Sequence, residues 1–303
     1  MPETNYFPEV LQTTQAEKVA TGFIFTEGPL WHPDGHWFFV DIRPNKLYRL
    51  TIGQKAELVR QTGGGNGTTF DLKGQLIVCE GDDRRVTRMD ENQAIHTVAD
   101  RFKGGRFNRP NDVVCHSNGS LYFTDPDKRR AYHEREIPAR EGDNNLWDGA
   151  CVYRVDTQNN VSIVAHCEYP NGLAFSPDER TLYVANTRSS KYIHAIDLNA
   201  EGHMIGRRIF ADMNQGELPG IPDGLKVDSL GRVYCTGPGG IWVFSPQGQR
   251  LGIIQWPEQA VNFAFGGSDM CTLLCCAHTS VYTLRVKVPG NPHPWYKLYQ
   301  SKI

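Results

Sequence analysis

Apolar residues along this chain come in short runs, some alternating with polar residues and some unbroken, set between clusters of Gly, Pro, Asn and Asp. Runs of that length bounded by turn-forming residues predict β-strands, and helix signals are scarce. "NDVVCHSNGSLYFTD" from Asn111, "NGLAFSPDERTLYVAN" from Asn171 and "DGLKVDSLGRVYCTG" from Asp223 share one frame. A polar residue and a Gly or Asp precede a short apolar strand; a turn rich in Asp, Gly, Ser or Asn leads to a second strand. The same frame fits "EGPLWHPDGHWFFVD" from Glu27 and "NGTTFDLKGQLIVCE" from Asn66, and more loosely "NFAFGGSDMCTLLCC" from Asn262. After most units a further strand pair follows, as in "KLYRLTI" and "YIHAIDL".

The six units start 39 to 60 residues apart. Repeats of roughly 40–50 residues with about four strands each are the signature of propeller blades, which bury their faces only by stacking on one another. The pattern predicts one all-β domain over residues 1–303: a six-bladed β-propeller with four-stranded antiparallel blades around a central channel. The longest interval holds the polar insertion 127–150, read as a loop on one face. The segment near Glu17–Ala20 is expected to supply an outer strand to the last blade and close the ring. The Gly-His/Trp-Asp and double-Gly signatures of WD40 and Kelch blades are absent.

The repeat brings chemistry into register. In a propeller the first strand of each blade lines the channel, so its starting residues meet at one mouth. Here they are Glu27, Asn66, Asn111, Asn171, Asp223 and Asn262, each with a side-chain oxygen. Two carboxylates held close together in a buried ring repel each other, and a hard divalent cation removes that cost. Carboxylate and amide oxygens suit Ca²⁺, and also Mg²⁺ or Mn²⁺; Zn²⁺ fits less well. For Asn66 or Asn262 alone, capping a turn is as good an explanation. Glu27 resists it, because Glu is a poor turn residue.

Composition narrows the field. A net charge of −2, with no Lys/Arg run that rises to a patch, argues against a nucleic-acid partner. No apolar stretch approaches the roughly 18 residues of a membrane span, and the N-terminal residues lack the plan of a secretion signal, so a cytoplasmic protein is expected. The eight cysteines form no CxxC and have no zinc spacing, and they read as reduced, buried thiols. His133, His166, His194 and His278 are isolated. Asp125 and Asn186, ending second strands, read as turn caps. Tyr132 and Trp147 on the insertion could wall a pocket. "TGGGNG" at 62–67 lacks the Lys and helix of a phosphate loop.

"FTEGPLW", "RPNDVV…GSLYFTD", "YPNGLAFSPDERTLYVAN", "IPDGLKVDSLGRVY" and "VNFAFGG" resemble, in order, blade motifs of the SMP-30/gluconolactonase/luciferin-regenerating-enzyme family. The resemblance covers roughly residues 20–285. It implies one divalent cation at the channel mouth, calcium foremost, with magnesium, manganese or zinc as alternatives. By motif its ligands would be Glu27, Asn171 and Asp223. Asn111 would lie beside the metal and touch substrate or water, Arg109 would bind substrate hydroxyl or carboxylate oxygens, and Asp223 would be the general base or a nucleophile. The acidic substrate contact of the animal branch has no clear equivalent in "TDPDKRRAYHERE".

The function so implied is metal-assisted hydrolysis of a small sugar lactone by a monomer or small homo-oligomer, with no nucleic-acid or membrane partner. A metal-dependent phosphotriesterase and a non-catalytic Ca²⁺-binding regulatory propeller are the alternatives.

Overall fold

A computed structural model describes residues 7–126, 150–215 and 218–300. The insertion at 127–150, with His133, Tyr132 and Trp147, lies outside the described residues except for Ala150. Six four-stranded antiparallel sheets form a six-bladed propeller. From the channel outward, blade 1 comprises Thr26–His32, His36–Asp41, Lys46–Leu50 and Glu57–Gln61. Blades 2 to 5 repeat the plan, with inner strands Gly65–Phe70, Val113–Cys115, Pro170–Phe175 and Leu225–Val227.

Blade 6 takes Asn262–Gly266, Thr272–Ala277 and Ser280–Arg285 from the end of the chain and Glu17–Thr21 from its beginning. Glu17 pairs with Thr283 and Thr21 with Ser280, so the expected closure of the ring is present.

The aspartates in the strand turns work as the composition suggests. Asp71 Oδ1 accepts from the backbone of Lys73 and Gln75, and Asp228 Oδ1 from Leu230 and Arg232. Each carboxylate thereby substitutes for a turn's missing backbone acceptor. The apolar faces pack between blades. Ile77 and Cys79 of blade 2, for example, are buried with Phe123 and Tyr153 of blade 3. All eight cysteines are free thiols.

Two features were not evident from the pattern. A two-stranded ribbon, Arg101–Phe102 with Gly105–Arg106, leads from blade 2 towards Arg109. A helix, Pro294–Gln300, packs across the channel mouth remote from Glu27. Its Trp295 ring lies 4.7 Å from Phe70 and 5.3 Å from His32, and the Tyr296 hydroxyl donates to the Trp31 carbonyl. Beneath it lies a cavity of about 430 Å³, walled by the far ends of all six inner strands: Trp31, Thr69, Cys115, Phe175, Val227 and Phe265 among them. Among the described residues, no helix is long and apolar enough to cross a membrane.

Candidate active site

The six ring residues gather at one mouth because neighbouring blades are tied together there. Thr68 Oγ1 of blade 2 donates to the Gly28 carbonyl at 2.8 Å, and Gly67 N to the Asn111 carbonyl at 2.7 Å. Thr124 Oγ1 donates to the Asn171 carbonyl at 2.7 Å, Gly172 N to the Asp223 carbonyl at 3.0 Å, and Gly224 N to the Val261 carbonyl at 3.0 Å. The circuit closes where Asn262 Nδ2 donates to Glu27 Oε2 at 2.8 Å.

The strands are also bulged at this level. One extra residue enters the inner strand between Glu27 and Leu30, between Gly65 and Thr68, and between Pro170 and Leu173. A bulge bends the strand and re-aims its side chains. Glu27, Asn66 and Asn171 sit at these bulges, whereas Asn262 opens its strand in unbroken register.

Gly172 follows Asn171 for a steric reason. A Cβ there would lie 2.0 Å from the Asp223 carbonyl oxygen. Gly28 combines such an approach, 2.1 Å to the Asn66 carbonyl, with a φ of 56°, which only glycine adopts freely.

Glu27 is 2 % exposed. Its carboxylate accepts from Gly28 N and from Asn262 Nδ2. Burial, and then the neighbouring Asp112 carboxylate, push its pKa up to about 7, against the lowering effect of those hydrogen bonds and of Lys226. A buried acid in this state is poised to gain a cation.

Asn171 is held by Thr187. Its Nδ2 donates to Thr187 Oγ1 at 3.0 Å, and that hydroxyl donates to the Pro222 carbonyl at 2.7 Å, one residue before Asp223. With its nitrogen so engaged, Asn171 presents Oδ1 to the site, and this oxygen is buried without a hydrogen-bond partner. Asp223 is half-buried beside it, its backbone N donating to Thr236 Oγ1 at 3.0 Å.

Asn111 is buried, its backbone paired with Thr124 and Gly67. Arg109 stands at the rim, where its guanidinium pairs with the Asp82 carboxylate. Asn66 Oδ1 is buried without a partner, like that of Asn171. Asn262 has both side-chain atoms engaged, since Oδ1 accepts from Phe263 N at 2.8 Å, so it orients Glu27.

These residues fit a hard divalent cation. Unsatisfied buried carbonyl oxygens cost free energy, and here they stand in one ring with an acid whose charge burial disfavours. Among the described residues no three His, Cys, Asp or Glu side chains form a cluster, and the oxygens that the ring residues offer are the carboxylates of Glu27 and Asp223 and the amides of the four asparagines. That set suits calcium, magnesium or manganese better than zinc.

Asn186 caps the turn after its strand, as expected, its Nδ2 donating to the Arg188 and Ser190 carbonyls at 2.6 and 2.8 Å; Asp125 instead ties down a segment 16 and 17 residues earlier in the chain. Asp125 accepts from the backbone N of Asn108 and of Arg109 at 2.8 and 2.7 Å, and Asn186 Oδ1 accepts from Tyr169 N at 2.8 Å. Both hold the chain just ahead of a ring residue. His194 stacks edge-on against Tyr192, away from the ring.

The family model described as SMP-30/Gluconolactonase/LRE-like region matches residues 25–279. The chain belongs to this family. Among its relatives, a gluconolactonase of Zymomonas mobilis is 30% identical, the match covering 92% of this chain and 83% of that one. A pentonolactonase of Haloferax volcanii is 28% identical over 86% of this chain and 84% of its own. A gluconolactonase structure from Xanthomonas campestris superposes with a TM-score of 0.82 at 29% identity, covering 94% and 95% of the two chains.

Within this SMP-30/gluconolactonase-like propeller, three residues beside the ring lie outside the set of strand-starting positions that the repeat selects. Asp112 occupies the place that glycine holds after the ring residue in blades 1, 2, 4 and 5. It is 3 % exposed and its Oδ1 accepts from Val113 N. Lys226 sends its ammonium to within 3.8 Å of Asp112 Oδ2 and 3.5 Å of Asn262 Oδ1. Thr187 is the third. Comparing the repeats one position after the ring residue would have singled out Asp112; the roles of the other two depend on contacts between blades.

Proposed function

We propose that this protein is a divalent-metal-dependent lactonase that opens the ring of a small aldonolactone. The observation that carries the reading is the ring of buried oxygens around Glu27, with Asn171 Oδ1 left unpartnered. Lactonases among the relatives support the substrate class.

Glu27, Asn171 and Asp223 would hold the cation, which when bound acts as a Lewis acid towards a carbonyl oxygen. Asp223 takes a proton from the attacking water. As the tetrahedral carbon collapses, the ring C–O bond breaks, Asp223 returns its proton to the ring oxygen, and the new carboxylic acid ionises and leaves as the aldonate. Arg109 and Asn111 bind the hydroxyl-rich face of the sugar and align the carbonyl with the water, which lowers the entropic part of the barrier. The rim position of Arg109, with Asp82 beside it, suits a polyhydroxylated substrate better than an apolar ester. On this reading Asp223 acts as a base.

The metal-loaded protein is expected to hydrolyse D-glucono-1,5-lactone or another aldonolactone. Chelator should abolish the activity, and Asp223→Ala should lower it by about 10²- to 10⁴-fold. No turnover of any member of a broad aldonolactone panel would sink the reading. Single turnover in ¹⁸O-water should label the aldonate; label appearing first in Asp223 would make it the nucleophile instead.

A further inference from the structure

The channel carries a charged layer directly beneath the ring. Along the inner strand Leu225–Val227 the two flanking residues are buried while Lys226 is partly exposed, its side chain lying along the channel. The Lys226 ammonium donates to the Leu225 carbonyl at 3.0 Å, reaches Asn262 Oδ1 at 3.5 Å and faces Asp112 Oδ2 at 3.8 Å. It thus spans from blade 5 to blade 3 on one side and blade 6 on the other, and it also borders the 430 Å³ cavity below. Asn262 completes the link, since its amide nitrogen donates to Glu27 Oε2.

Asp112 is the departure from the repeat. Four other blades place glycine at its position, where the next blade's backbone comes close. Blade 3 places a carboxylate there, buried and paired across the channel with a lysine. Asp112 and Lys226 act on Glu27 with opposite sign: the first repels negative charge there and the second attracts it.

An ion pair with one buried and one partly buried partner is weak evidence of stability, because desolvation offsets much of the attraction. Its fixed charges, however, act strongly on any ion held a few ångströms away in a medium of low dielectric constant.

We propose that Asp112 and Lys226 form an internal charge pair that tunes the ring's affinity for a divalent cation, Asp112 raising it and Lys226 lowering it. Both are positioning residues that act through the field at Glu27 and through Asn262. The inference rests on the reading that the ring holds such a cation. The pair leaves the ring with the net charge of Glu27 and Asp223 alone, which a single divalent ion neutralises. Without Lys226 a third uncompensated carboxylate would lie next to the site.

The test is titration of the full-length protein with Mn²⁺, followed by the loss of the free-ion EPR signal, with Ca²⁺ as competitor. Lys226→Met should bind Mn²⁺ about tenfold tighter or more, and Asp112→Asn about tenfold more weakly. The double variant should return to within about threefold of the parent. Lys226→Gln keeps a donor for Asn262 Oδ1 without the charge and should tighten binding in the same direction, so it serves if the Met variant does not fold. A purely structural role would weaken binding in every single variant, and that result, or no change in any of them, would overturn the inference. If the parent binds Mn²⁺ while the Lys226 variants fail to tighten, this inference alone is lost. If the parent binds no divalent ion, the active-site reading falls with it.

Discussion

Asn171 owes its orientation to one hydroxyl. Thr187 Oγ1 accepts from its amide nitrogen and passes a hydrogen bond to the Pro222 carbonyl, so the amide oxygen is left facing the ring. Groups that orient a metal ligand typically matter by 10–100-fold in affinity. Thr187→Val is therefore expected to weaken divalent-cation binding by about that factor while leaving the melting temperature within a few degrees; Thr187→Ser should recover most of it. Isothermal titration on the three proteins checks this, and equal affinity across them would remove Thr187 from the site. At this scale much was legible. Glu27 stood out as an acid that turn chemistry does not explain, and the turn-capping role of Asn186 followed from its place at a strand end; Asp125 holds the segment before Asn111 instead. Thr187 was not legible, because nothing in "ANTRSS" marks a hydroxyl whose partners are 16 and 35 residues away.

Strands and the terminal helix obey different local rules. Each inner strand in the frame "NGL" or "EGP" pairs a ring residue with a glycine, and the reason lies in the neighbouring blade. Gly172→Ala would push a methyl group against the Asp223 carbonyl and to 2.7 Å from Leu225 N. Overpacking of this kind costs about 1–3 kcal/mol. Gly35 has a φ of +94° with open space around it, so Gly35→Ala isolates the backbone term. Denaturant melts should show the Gly172 variant losing more stability than the Gly35 variant and also losing cation affinity; the reverse order would refute the steric argument.

The helix Pro294–Gln300 is short and escaped the sequence reading because its stability comes from docking. His293, just before it, accepts from Trp295 N at Nδ1, so in the neutral ring Nε2 carries the hydrogen facing Thr69 Oγ1 at 3.2 Å. Burial lowers its pKa from 6.5 to about 4. The unfolded chain then binds a proton that the folded state refuses between those values. Stability contributed here is full above pH 6.5 and is lost as pH falls towards 4, by on the order of 3 kcal/mol. His293→Gln should flatten the fall in melting temperature between pH 6.5 and 4.5; an unchanged slope would assign it to other groups.

For the molecule as a whole, closure is the decisive event. Blade 6 is complete only when Glu17–Thr21 pairs with Ser280–Arg285, and Phe7, Val10 and Leu11 add to the core of blades 5 and 6. Closure also brings Asn262 against Glu27. Removing residues 1–21 is expected to lower the melting temperature by several degrees and to weaken cation binding together with it. A truncated protein with unchanged affinity would show that the ring assembles without the outer strand. The repeat of strand, turn and strand, counted along the chain, determined the all-β class, the number of blades and the set of residues that begin them. It could do so because a blade is a local unit whose turns and apolar periods are written in neighbouring residues. What only the tertiary structure decided is how those residues divide their work: Asn262 clamping Glu27, Asn171 turned by Thr187, Asp112 paired with Lys226 across the channel. Those choices depend on bulges and on approaches of a few ångströms between blades. No local pattern encodes the distance between segments that meet only when the ring closes.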